Sequence, residues 1–444
     1  MVITIVGAGT VGTYLAKYLS GEQMDIFIVD TDVNKLMALD AEYNLMTVVG
    51  DGTVFATLRQ AEVERCDLFI SVTDVAERNI VACGMAKSMG AKMTVARVDR
   101  NDYLEADNRT VIQKMGVDEV IFPESLIARG IIESLSHSWF RYWYEFQKGE
   151  LLMAGIRLED DAPLSHKVLR DLNQYHDLLH VAVIRRDFQT LIPNGNDALM
   201  PNDILYLTTS GNQLSDVARL TGKHPYDIKR VIIAGTGKIT ELTLANAPKH
   251  LHFTVIEKDA VKARELSRMF PTVDIINGES SEFEVLNEAG IARADAFIAL
   301  EYSSEGNILS CLNARDMGVK KSIAEVERPQ FFNMAESFNI GTILNKQVLV
   351  ANAVFQLLID AGAVSSKCLV LPDAEVLRLD IKPGAKITSA QVKDLSIPED
   401  ITFAGLIRDG KAMLVNGQTQ FMPGDTVLVV CLQGTLQKAQ KLFK

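Results

Sequence analysis

Short apolar runs alternate in the first third of the chain with segments whose apolar positions recur every three or four residues. The runs read VITIVG, DIFIVD, LMTVVGD, DLFISVT and MTVARV, and the first helical segment starts at about Val11. The runs lack the two-residue alternation of half-buried strands, so we expect both faces of the sheet to be covered. Strands that alternate with helices predict βαβ units and a doubly wound parallel sheet, an α/β fold.

The chain carries this pattern twice. Gly7 aligns with Gly235 and Asp67 with Asp295, an offset of 228 residues. The same offset aligns DLFISVTDVAERNIVACGMAKSMG with DAFIALEYSSEGNILSCLNARDMG, and ARVDR with AEVER. A second pairing, at an offset of about 222, sets LIPNGNDALMPNDILYL against LVNGQTQFMPGDTVLVV. Agreement over this length indicates an internal repeat of the form A–B–A–B.

The repeat predicts four domains. We expect Rossmann-like doubly wound domains at 1–149 and 223–372, each followed by a small α+β domain, at 150–222 and 373–444. Each small domain is predicted to contain a short helix, HKVLRDL in the first copy, and a hairpin. The hairpin turns are expected at Asn194-Gly195 and Asn416-Gly417, because this dipeptide favours tight hairpin turns.

An aromatic segment, WFRYWYEFQ, follows the first predicted doubly wound domain. At helical spacing Trp139, Tyr142, Trp143 and Phe146 form one apolar stripe, which predicts a helix. A core helix is one interpretation. We favour a helix that packs against a neighbouring domain or subunit, because aromatic side chains concentrate at interface cores.

Composition and charge narrow the class of protein. Lys and Arg number 45 against 57 Asp and Glu, a formal net charge of −12, which argues against broad nucleic-acid or anionic lipid binding. The five cysteines are scattered without a C-x-x-C pair, so neither a disulfide framework nor a zinc site is expected. No signal peptide and no apolar run of about 18 residues is evident, which predicts a cytoplasmic protein.

The first glycine loop, GAGTVG, fits the dinucleotide-binding pattern G-x-G-x-x-G in its full context of strand, loop and helix. Gly7 allows the tight turn, Gly9 lets the backbone approach a pyrophosphate, and Gly12 lets helix and sheet pack closely. Asp30 ends the next strand, where a carboxylate accepts hydrogen bonds from ribose hydroxyls. Asp32 adds negative charge, which favours NAD(H) or adenosine phosphates over NADP(H). The alternative is a glycine-rich turn that binds nothing.

Other polar side chains follow the carboxyl ends of the predicted strands, the edge at which open α/β sheets bind ligands. They are Asp51, Thr73, Asp74 and Arg97. Two of them have alternative interpretations, since Asp51 could close a turn and Arg97 could be a surface cation.

The second loop, GTGKIT, departs from the pattern. Gly235 and Gly237 remain, but Thr240 replaces the third glycine, which predicts looser packing of helix on sheet. Glu257, Glu279 and Glu325 stand where the first copy has Asp30, Asp51 and Arg97, so a phosphate partner is lost; Lys238 within the loop could compensate. The second loop is expected to bind a related ligand differently, or nothing.

No catalytic constellation is evident. There is no Tyr-x-x-x-Lys pair after the cofactor loop, no cysteine with a histidine partner and no separate substrate domain. The pair His176 and His180 lacks the glutamate of H-E-x-x-H, which argues against a zinc helix, and no metal site is expected. We therefore expect a protein that is not an enzyme.

The motifs IVGAGTVGTYLAKYL, VVGDGT, ARVDR and VIFPESLIARGI, repeated at a fixed offset with a small β-rich unit after each copy, resemble a known family. The whole chain is similar to the TrkA family, the regulatory subunits of Trk potassium-uptake systems, in which two RCK (KTN) domains are each followed by a TrkA-C domain. The resemblance implies a peripheral protein on the inner face of the cell membrane, without nucleic-acid partners. It further implies a homo-oligomeric ring, expected to be a tetramer, under a potassium-conducting membrane subunit, with NAD(H) and adenine nucleotides such as ATP or ADP as ligands.

The resemblance also implies which residues bind nucleotide. By position, the first site consists of Gly7, Ala8, Gly9, Thr10, Val11, Asp30, Thr73, Asp74 and Arg97. The second site consists of Gly235, Thr236, Gly237, Lys238, Ile239, Glu257, Glu301 and Glu325. Thr240 and Glu325 depart from the first copy and leave the ligand of the second site open.

Two other functions fit parts of the pattern. One is an NAD-dependent oxidoreductase with a degenerate duplicate domain, and the other is a nucleotide sensor for a different membrane transporter. Neither explains the two loops as well as regulation does, because two related sites in one chain allow ligands to shift an equilibrium between states.

Overall fold

The computed structural model describes residues 1–20, 24–146, 149–187, 189–328, 331–360, 367–371 and 373–443. The chain forms two compact units. The first comprises Met1–Ala128 and Asn345–Val354, and the second comprises Arg129–Leu344 and Phe355–Lys444.

The first unit contains a six-stranded parallel sheet with the order β3-β2-β1-β4-β5-β6. Its strands are β1 Val2–Val6, β2 Asp25–Asp30, β3 Met46–Val49, β4 Leu68–Ser71, β5 Met93–Arg97 and β6 Glu119–Ile121. The helices are α1 Thr10–Ser20, α2 Val33–Glu42, α3 Phe55–Gln60, α4 Ala76–Met89 and α5 Ala106–Lys114, and α6 Pro123–Ser136 leads out of this domain. The central strands β1 and β4 are buried along their whole length, as continuous apolar runs predict. The predicted doubly wound fold is confirmed.

The second unit contains an equivalent parallel sheet with the order β14-β13-β12-β15-β16-β17. Its strands are β12 Arg230–Ala234, β13 His252–Glu257, β14 Asp274–Asn277, β15 Ala296–Ala299, β16 Lys321–Glu325 and β17 Thr342–Leu344. Its helices are α8 Lys238–Asn246, α9 Ala260–Met269, α10 Phe283–Glu288, α11 Ser304–Asp316 and α12 Phe332–Ser337, and α13 Lys346–Asp360 follows β17. The two parallel sheets have the same strand order, as the sequence repeat predicts.

Two five-stranded, antiparallel sheets complete the second unit, ordered β10-β9-β11-β8-β7 and β21-β20-β22-β19-β18. The first has β7 Tyr142–Phe146, β8 Leu151–Arg157, β9 His180–Arg186, β10 Gln189–Leu191 and β11 Ile204–Thr209, followed by α7 Leu214–Leu220. The second has β18 Lys367–Leu371, β19 Ala374–Asp380, β20 Ile401–Arg408, β21 Lys411–Met413 and β22 Thr426–Leu432, followed by α14 Leu436–Leu442. The same elements recur in the same order, which confirms the small α+β domains.

The two antiparallel sheets pack on each other. Met153, Val183 and Tyr206 of the first sheet share a buried apolar cluster with Ala404 and Val430 of the second. The hydroxyl of Thr208 donates to the carbonyl of Ala404 at 2.6 Å across this contact. The opposite face of the first sheet is covered by residues from α7 and the loops. Strands covered on both faces explain why these segments are continuously apolar.

The aromatic segment is a strand and not a helix, so that prediction is wrong. Tyr142–Phe146 pairs antiparallel with β8, and Tyr142, Tyr144 and Phe146 contact the apolar cluster between the two antiparallel sheets. Trp143 points the other way and packs against the apolar cluster on the opposite face of the first antiparallel sheet, which includes residues from α7. Aromatic residues favour strands, and a five-residue run fits the period of two as well as the helical period. A contact with a neighbouring domain, the interpretation that we favoured, is nevertheless present.

The predicted hairpin turns also lie elsewhere. In the second copy β20 and β21 are joined at Asp409 and Gly410, both in the left-handed region with φ of 50° and 77°. In the first copy β9 and β10 are joined around Asp187. The Asn194 carbonyl does close a turn, accepting from the Asp197 N–H at 3.0 Å, but the flanking strands β10 and β11 do not pair. The Asn194-Gly195 dipeptide therefore predicted the turn correctly, but the prediction that the flanking strands pair with each other is wrong. The same holds for Asn416-Gly417, because β22 pairs with β20 and not with β21.

The predicted short helix of the small domain, HKVLRDL, forms a single 3₁₀ segment, Leu169–Tyr175. It begins three residues later than the motif, because Val168 makes a β-bridge with Ala198. The segment and the Asn194 turn lie beside each other, since the Arg170 N–H donates to the Gly195 carbonyl at 2.9 Å.

Candidate functional site

The first glycine loop connects the carboxyl end of β1 to α1. Gly7 has φ of +103°, a conformation that L side chains rarely adopt. A Cβ at Gly12 would lie 1.8 Å from the Gly7 carbonyl oxygen, so helix α1 can approach the loop only because residue 12 is glycine. A Cβ at Gly9, by contrast, would meet no described atom within 4 Å. The fold therefore requires Gly7 and Gly12, whereas the position that a side chain would occupy at Gly9 is open space.

The open space lies where the amino end of α1 begins, at Thr10. The first N–H groups of a helix have no partner within the helix, and they carry the positive end of its dipole. Ala8 and Val11 are buried, so their side chains anchor the loop and leave the backbone facing the cleft. A backbone path with N–H groups and no side chain at Gly9 suits the close approach of a phosphate.

Asp30 braces this loop. One carboxylate oxygen accepts from the Ala8 N–H at 2.6 Å, and the other accepts from the Asp32 N–H at 2.8 Å. The side chain is half-buried at the end of β2. The motif placed Asp30 beside the loop correctly, but it gave no sign that the carboxylate already holds the loop's backbone.

Asp51 closes a turn after β3, which is the alternative that the sequence left open. Its carboxylate accepts from the backbone N–H of Thr53 at 2.9 Å and from the Thr53 hydroxyl at 2.8 Å. These two hydrogen bonds lower the pKa of Asp51 below its usual range. The carboxylate therefore stays charged and fixed at the carboxyl edge of the sheet.

Asn79 is a buried residue that holds this edge together. Its side-chain oxygen accepts from the N–H of Thr73 at 3.0 Å, and its amide donates to the carbonyls of Thr73 at 3.0 Å and Arg97 at 2.9 Å. The ends of β4 and β5 are thus tied to α4. Asn307 makes the same bonds in the second copy, to Glu301 and to the carbonyl of Glu325. We did not predict this role, although the recurrence of asparagine at both positions was the available signal.

Arg97 lies at the end of β5 and pairs with Asp74 at 3.2 Å. The arginine side chain is 23% exposed and the aspartate 98% exposed. Such a pair is weak because water screens the aspartate. Thr73, Asp74 and Arg97 therefore lie together at the carboxyl edge of the sheet.

The second loop keeps the outline of the first. Gly235 has φ of +98°, and a Cβ at Gly237 would again meet no described atom within 4 Å. Thr240 is buried, and its hydroxyl donates to the Gly235 carbonyl at 2.9 Å. The helix stands far enough from the loop for a threonine, as expected, and a hydrogen bond fills the added space.

The charged side chains of the second cleft differ from those of the first. Glu257 is buried; it accepts from the Thr236 N–H at 2.9 Å and from the Asp259 N–H at 2.8 Å. Glu301 accepts from the Ser280 hydroxyl at 3.0 Å, and Glu325 ends β16 in a buried position. Lys238 begins α8 next to the buried Ile239, and its ammonium pairs with Glu241 at 3.4 Å.

A further cavity, of about 920 Å³, lies between the two antiparallel sheets and their loops. Equivalent segments of the two copies line it, including Arg170 and Lys393 and both Asn-Gly turns. His180 also lines it, and burial lowers the pKa of this imidazole to about 4. The volume is within the range of small-molecule sites, roughly 300–1,000 Å³. Sequence reasoning missed this cavity, which exists only where the two repeats face each other.

Two features of the described residues bear on other functions. No group of three or more histidine, cysteine, aspartate or glutamate side chains there is placed to hold a metal ion. Among the helices in that part of the chain, none combines the length and apolarity needed to cross a membrane.

Comparison with known proteins identifies the domains. The TrkA-N domain family matches residues 3–123 and 231–346, and the TrkA-C domain family matches residues 153–222 and 376–444. Among solved structures, the RCK domain of GsuK superposes with a TM-score of 0.59 at 16% identity, covering 99% of this chain and 94% of that one. The GsuK channel bound to NAD gives a TM-score of 0.58 at 16% identity, covering 98% of this chain and 78% of that one. At these identities the likeness establishes a shared fold.

Two relatives align with this chain along nearly their whole sequences. The Trk system potassium uptake protein TrkA of Azorhizobium caulinodans is 26% identical over 455 residues, covering 100% of this chain and 99% of that protein. The TrkA homolog 2 of Methanosarcina mazei is 27% identical over 454 residues and covers 100% of both chains. These relatives are named as potassium uptake proteins and not as enzymes, in line with the expectation for this chain. With TrkA-N and TrkA-C domains each present twice, the chain belongs to the TrkA family of Trk-system potassium uptake proteins.

Proposed function

We propose that this chain is a cytoplasmic regulatory subunit that gates a potassium-conducting membrane protein in response to NAD(H) and adenine nucleotides. It would act at the inner face of the cell membrane as a homo-oligomeric ring, with a tetramer as the expected state. The family membership supports the potassium link, and the GsuK channel bound to NAD shares the fold. The four predicted domain boundaries remain part of this proposal.

The observation that carries the proposal is the open space at Gly9. Gly7 and Gly12 are explained by the fold itself, but no described atom of the chain requires a glycine at position 9. A ligand that lies against the backbone there does require it. The site would consist of this loop, with Asp30 facing the ribose, and Thr73, Asp74 and Arg97 at the far side of the cleft. Asp51 would remain a structural neighbour.

The second cleft would bind nucleotide more weakly than the first, or differently. Glu325 replaces Arg97, and Glu301 replaces Thr73, so two carboxylates stand where the first cleft has a cation and a hydroxyl. Phosphate groups are repelled by carboxylates at short range. Lys238 is the cation of the loop, but Glu241 competes for it. Gly235, Thr236, Gly237, Lys238, Ile239 and Glu257 would still form the cradle of the loop.

Isothermal titration with NADH and with ATP tests the first site. We expect wild type to bind one of them with a dissociation constant on the order of micromolar, about −8 kcal/mol. Gly9→Val should abolish this binding without lowering the melting temperature, because the added side chain enters open space. The matched control is Gly237→Val, which makes the same change in the second cleft. Wild-type affinity in Gly9→Val, or no saturation of wild type at millimolar nucleotide, would refute the site.

A further inference from the structure

A second, smaller cavity of about 190 Å³ lies at the opposite edge of the second parallel sheet from its glycine loop. It is enclosed by the chain before β7, the end of β8, the segment that leads to β12, and the starts of β16 and β17. Cationic side chains dominate its lining. They are Arg141, Arg157, Lys223, Arg315, Lys320 and Lys321.

The described residues supply little negative charge to balance these cations. Glu159 lines the cavity and accepts a hydrogen bond from Lys223. The nearby Glu336 is already engaged by Arg185 and by the hydroxyl of Tyr142, and Asp316, which pairs with Arg315 at 3.3 Å, is 73% exposed. Arg157 donates to Asn202, a neutral partner. His224 also lines the cavity.

Two of the cations are deeply buried. Arg141 is 6% exposed; Nη2 donates to the side chain of Asn339, whereas Nη1 has no hydrogen-bond partner among the described residues. A buried donor that lacks a partner is costly, more so when it belongs to a charged group. Lys321 is 3% exposed and donates to the carbonyls of Phe140 at 2.5 Å and His137 at 3.4 Å, and no carboxylate among the described residues pairs with its charge.

Burial and mutual repulsion weaken the charged state of these groups. Burial, with a smaller contribution from the charge of Arg141, lowers the pKa of Lys321 to about 7. Burial, followed by the charges of Arg141 and Arg315, lowers the pKa of Arg157 to about 10. An anion in the cavity would reverse both effects by supplying the missing counter-charge.

From this geometry we infer that the cavity is a binding site for a compact phosphate-class oxyanion, with one or two phosphoryl groups. The volume is below the roughly 300–1,000 Å³ of sites that take whole drug-sized ligands, so a complete nucleotide is excluded. The anion is either free phosphate or pyrophosphate, or the phosphate tail of a longer molecule. Arg141 Nη1, Lys321, Arg157 and Lys320 provide the donors that such oxygens accept from.

The cavity and the second cleft share one strand. Lys321 begins β16 at the cavity, and Glu325 ends it at the nucleotide cleft. Lys321 and Glu325 are four residues apart along the strand, so their Cα atoms lie roughly 13–14 Å apart. The anion site is therefore distinct from the glycine loop, which lies at the carboxyl ends of the strands.

The test is a titration with sodium pyrophosphate, with orthophosphate and with ATP. Binding is measured by calorimetry and by the change in melting temperature. The protein carries Gly9→Val and Gly237→Val, so that the glycine loops do not contribute. We expect pyrophosphate or orthophosphate to saturate a site and raise the melting temperature. If ATP also saturates the site, the phosphate tail of a longer molecule can bind there. If ATP does not saturate it, the ligand is restricted to the free anion.

Arg157→Gln and Lys320→Gln, at the more accessible part of the lining, should each weaken that binding about tenfold, the worth of one charge-assisted hydrogen bond. Lys320→Gln should change the stability of the anion-free protein little, because the repulsion that it removes offsets the lost contact of the ammonium with the Tyr226 ring, 5.4 Å from its centroid. Lys249→Gln, an exposed lysine elsewhere on the same parallel-sheet domain, is the control and should bind like the parent. Arg141→Gln should abolish binding, but if it fails to fold, the other two variants decide. No saturation at millimolar pyrophosphate and orthophosphate, or equal affinity in all variants, would overturn the inference.

Discussion

The three glycines of the first loop have different surroundings, and the fold itself requires only two of them. Gly7 needs a positive φ, Gly12 lies against a carbonyl oxygen, and Gly9 faces open space. The motif predicted all three positions, because spacing alone encodes them. It did not predict that Asp30 holds the Ala8 N–H, because that bond depends on where β2 ends relative to the loop. Asp30 therefore holds the loop in the fold, and in the proposed function it would also face the ribose.

Asn79 and Asn307 give the sharpest stability prediction at this scale. Replacing either with aspartate keeps the accepting oxygen but removes the amide that donates to two backbone carbonyls. We expect Asn79→Asp to destabilise the first unit, and Asn307→Asp the second, by about 1–3 kcal/mol or more, since buried carbonyls lose donors and face a charge. Urea unfolding measures the loss.

The control is Asn196→Asp, at an exposed position on a turn, which should change stability by less than about 0.5 kcal/mol. Equal unfolding midpoints for Asn79→Asp and Asn196→Asp would show that the asparagine does not hold the strand ends. The recurrence of asparagine in both repeats made this residue visible in the sequence, but its role required the tertiary contacts of three elements.

At the scale of elements, the long periodic patterns were predicted well and the short ones poorly. The strands and helices of both parallel sheets follow from continuous apolar runs. The five residues of β7 fit both the helical period and the strand period of two. Burial between the two antiparallel sheets makes this segment a strand, and that burial cannot be inferred from the local sequence. Similarly, Asn194-Gly195 specifies a turn, but the pairing of β11 with β9 and β8 is set by distant strands.

Helix α12 presents Glu336 to the first antiparallel sheet. Glu336 is 6% exposed and pairs with Arg185 of β9, which is 3% exposed and also bonds Asp373 at 3.0 Å. Glu336→Ala should destabilise the second unit by about 3 kcal/mol, because it leaves a buried guanidinium short of one partner. Glu305→Ala, which breaks an exposed pair with Arg328, should cost less than about 1 kcal/mol. Denaturant unfolding compares them, and similar losses in both variants would contradict the coupling of α12 to the sheet.

At the scale of the molecule, duplication and divergence of one domain pair explain the arrangement of sites. Both loops keep an open position, Gly9 and Gly237, but the second cleft has acquired glutamates. A ligand shifts an equilibrium only through its difference in affinity between states, and a difference of about 1.4 kcal/mol already changes their ratio tenfold. Under the proposed function, two unequal clefts would allow a regulator to respond to nucleotide mainly at its first cleft, with weaker or different binding at the second.

The most direct measurement is potassium uptake at limiting external potassium by cells that lack this chain and express no other uptake system. Wild type should restore fast uptake. Gly9→Val, with its fold intact, should remove the dependence of uptake on cellular NAD(H) or ATP, whereas Gly237→Val should preserve most of it. Fast uptake in cells without the chain, or an unchanged nucleotide response with Gly9→Val, would contradict nucleotide-controlled gating through the first cleft.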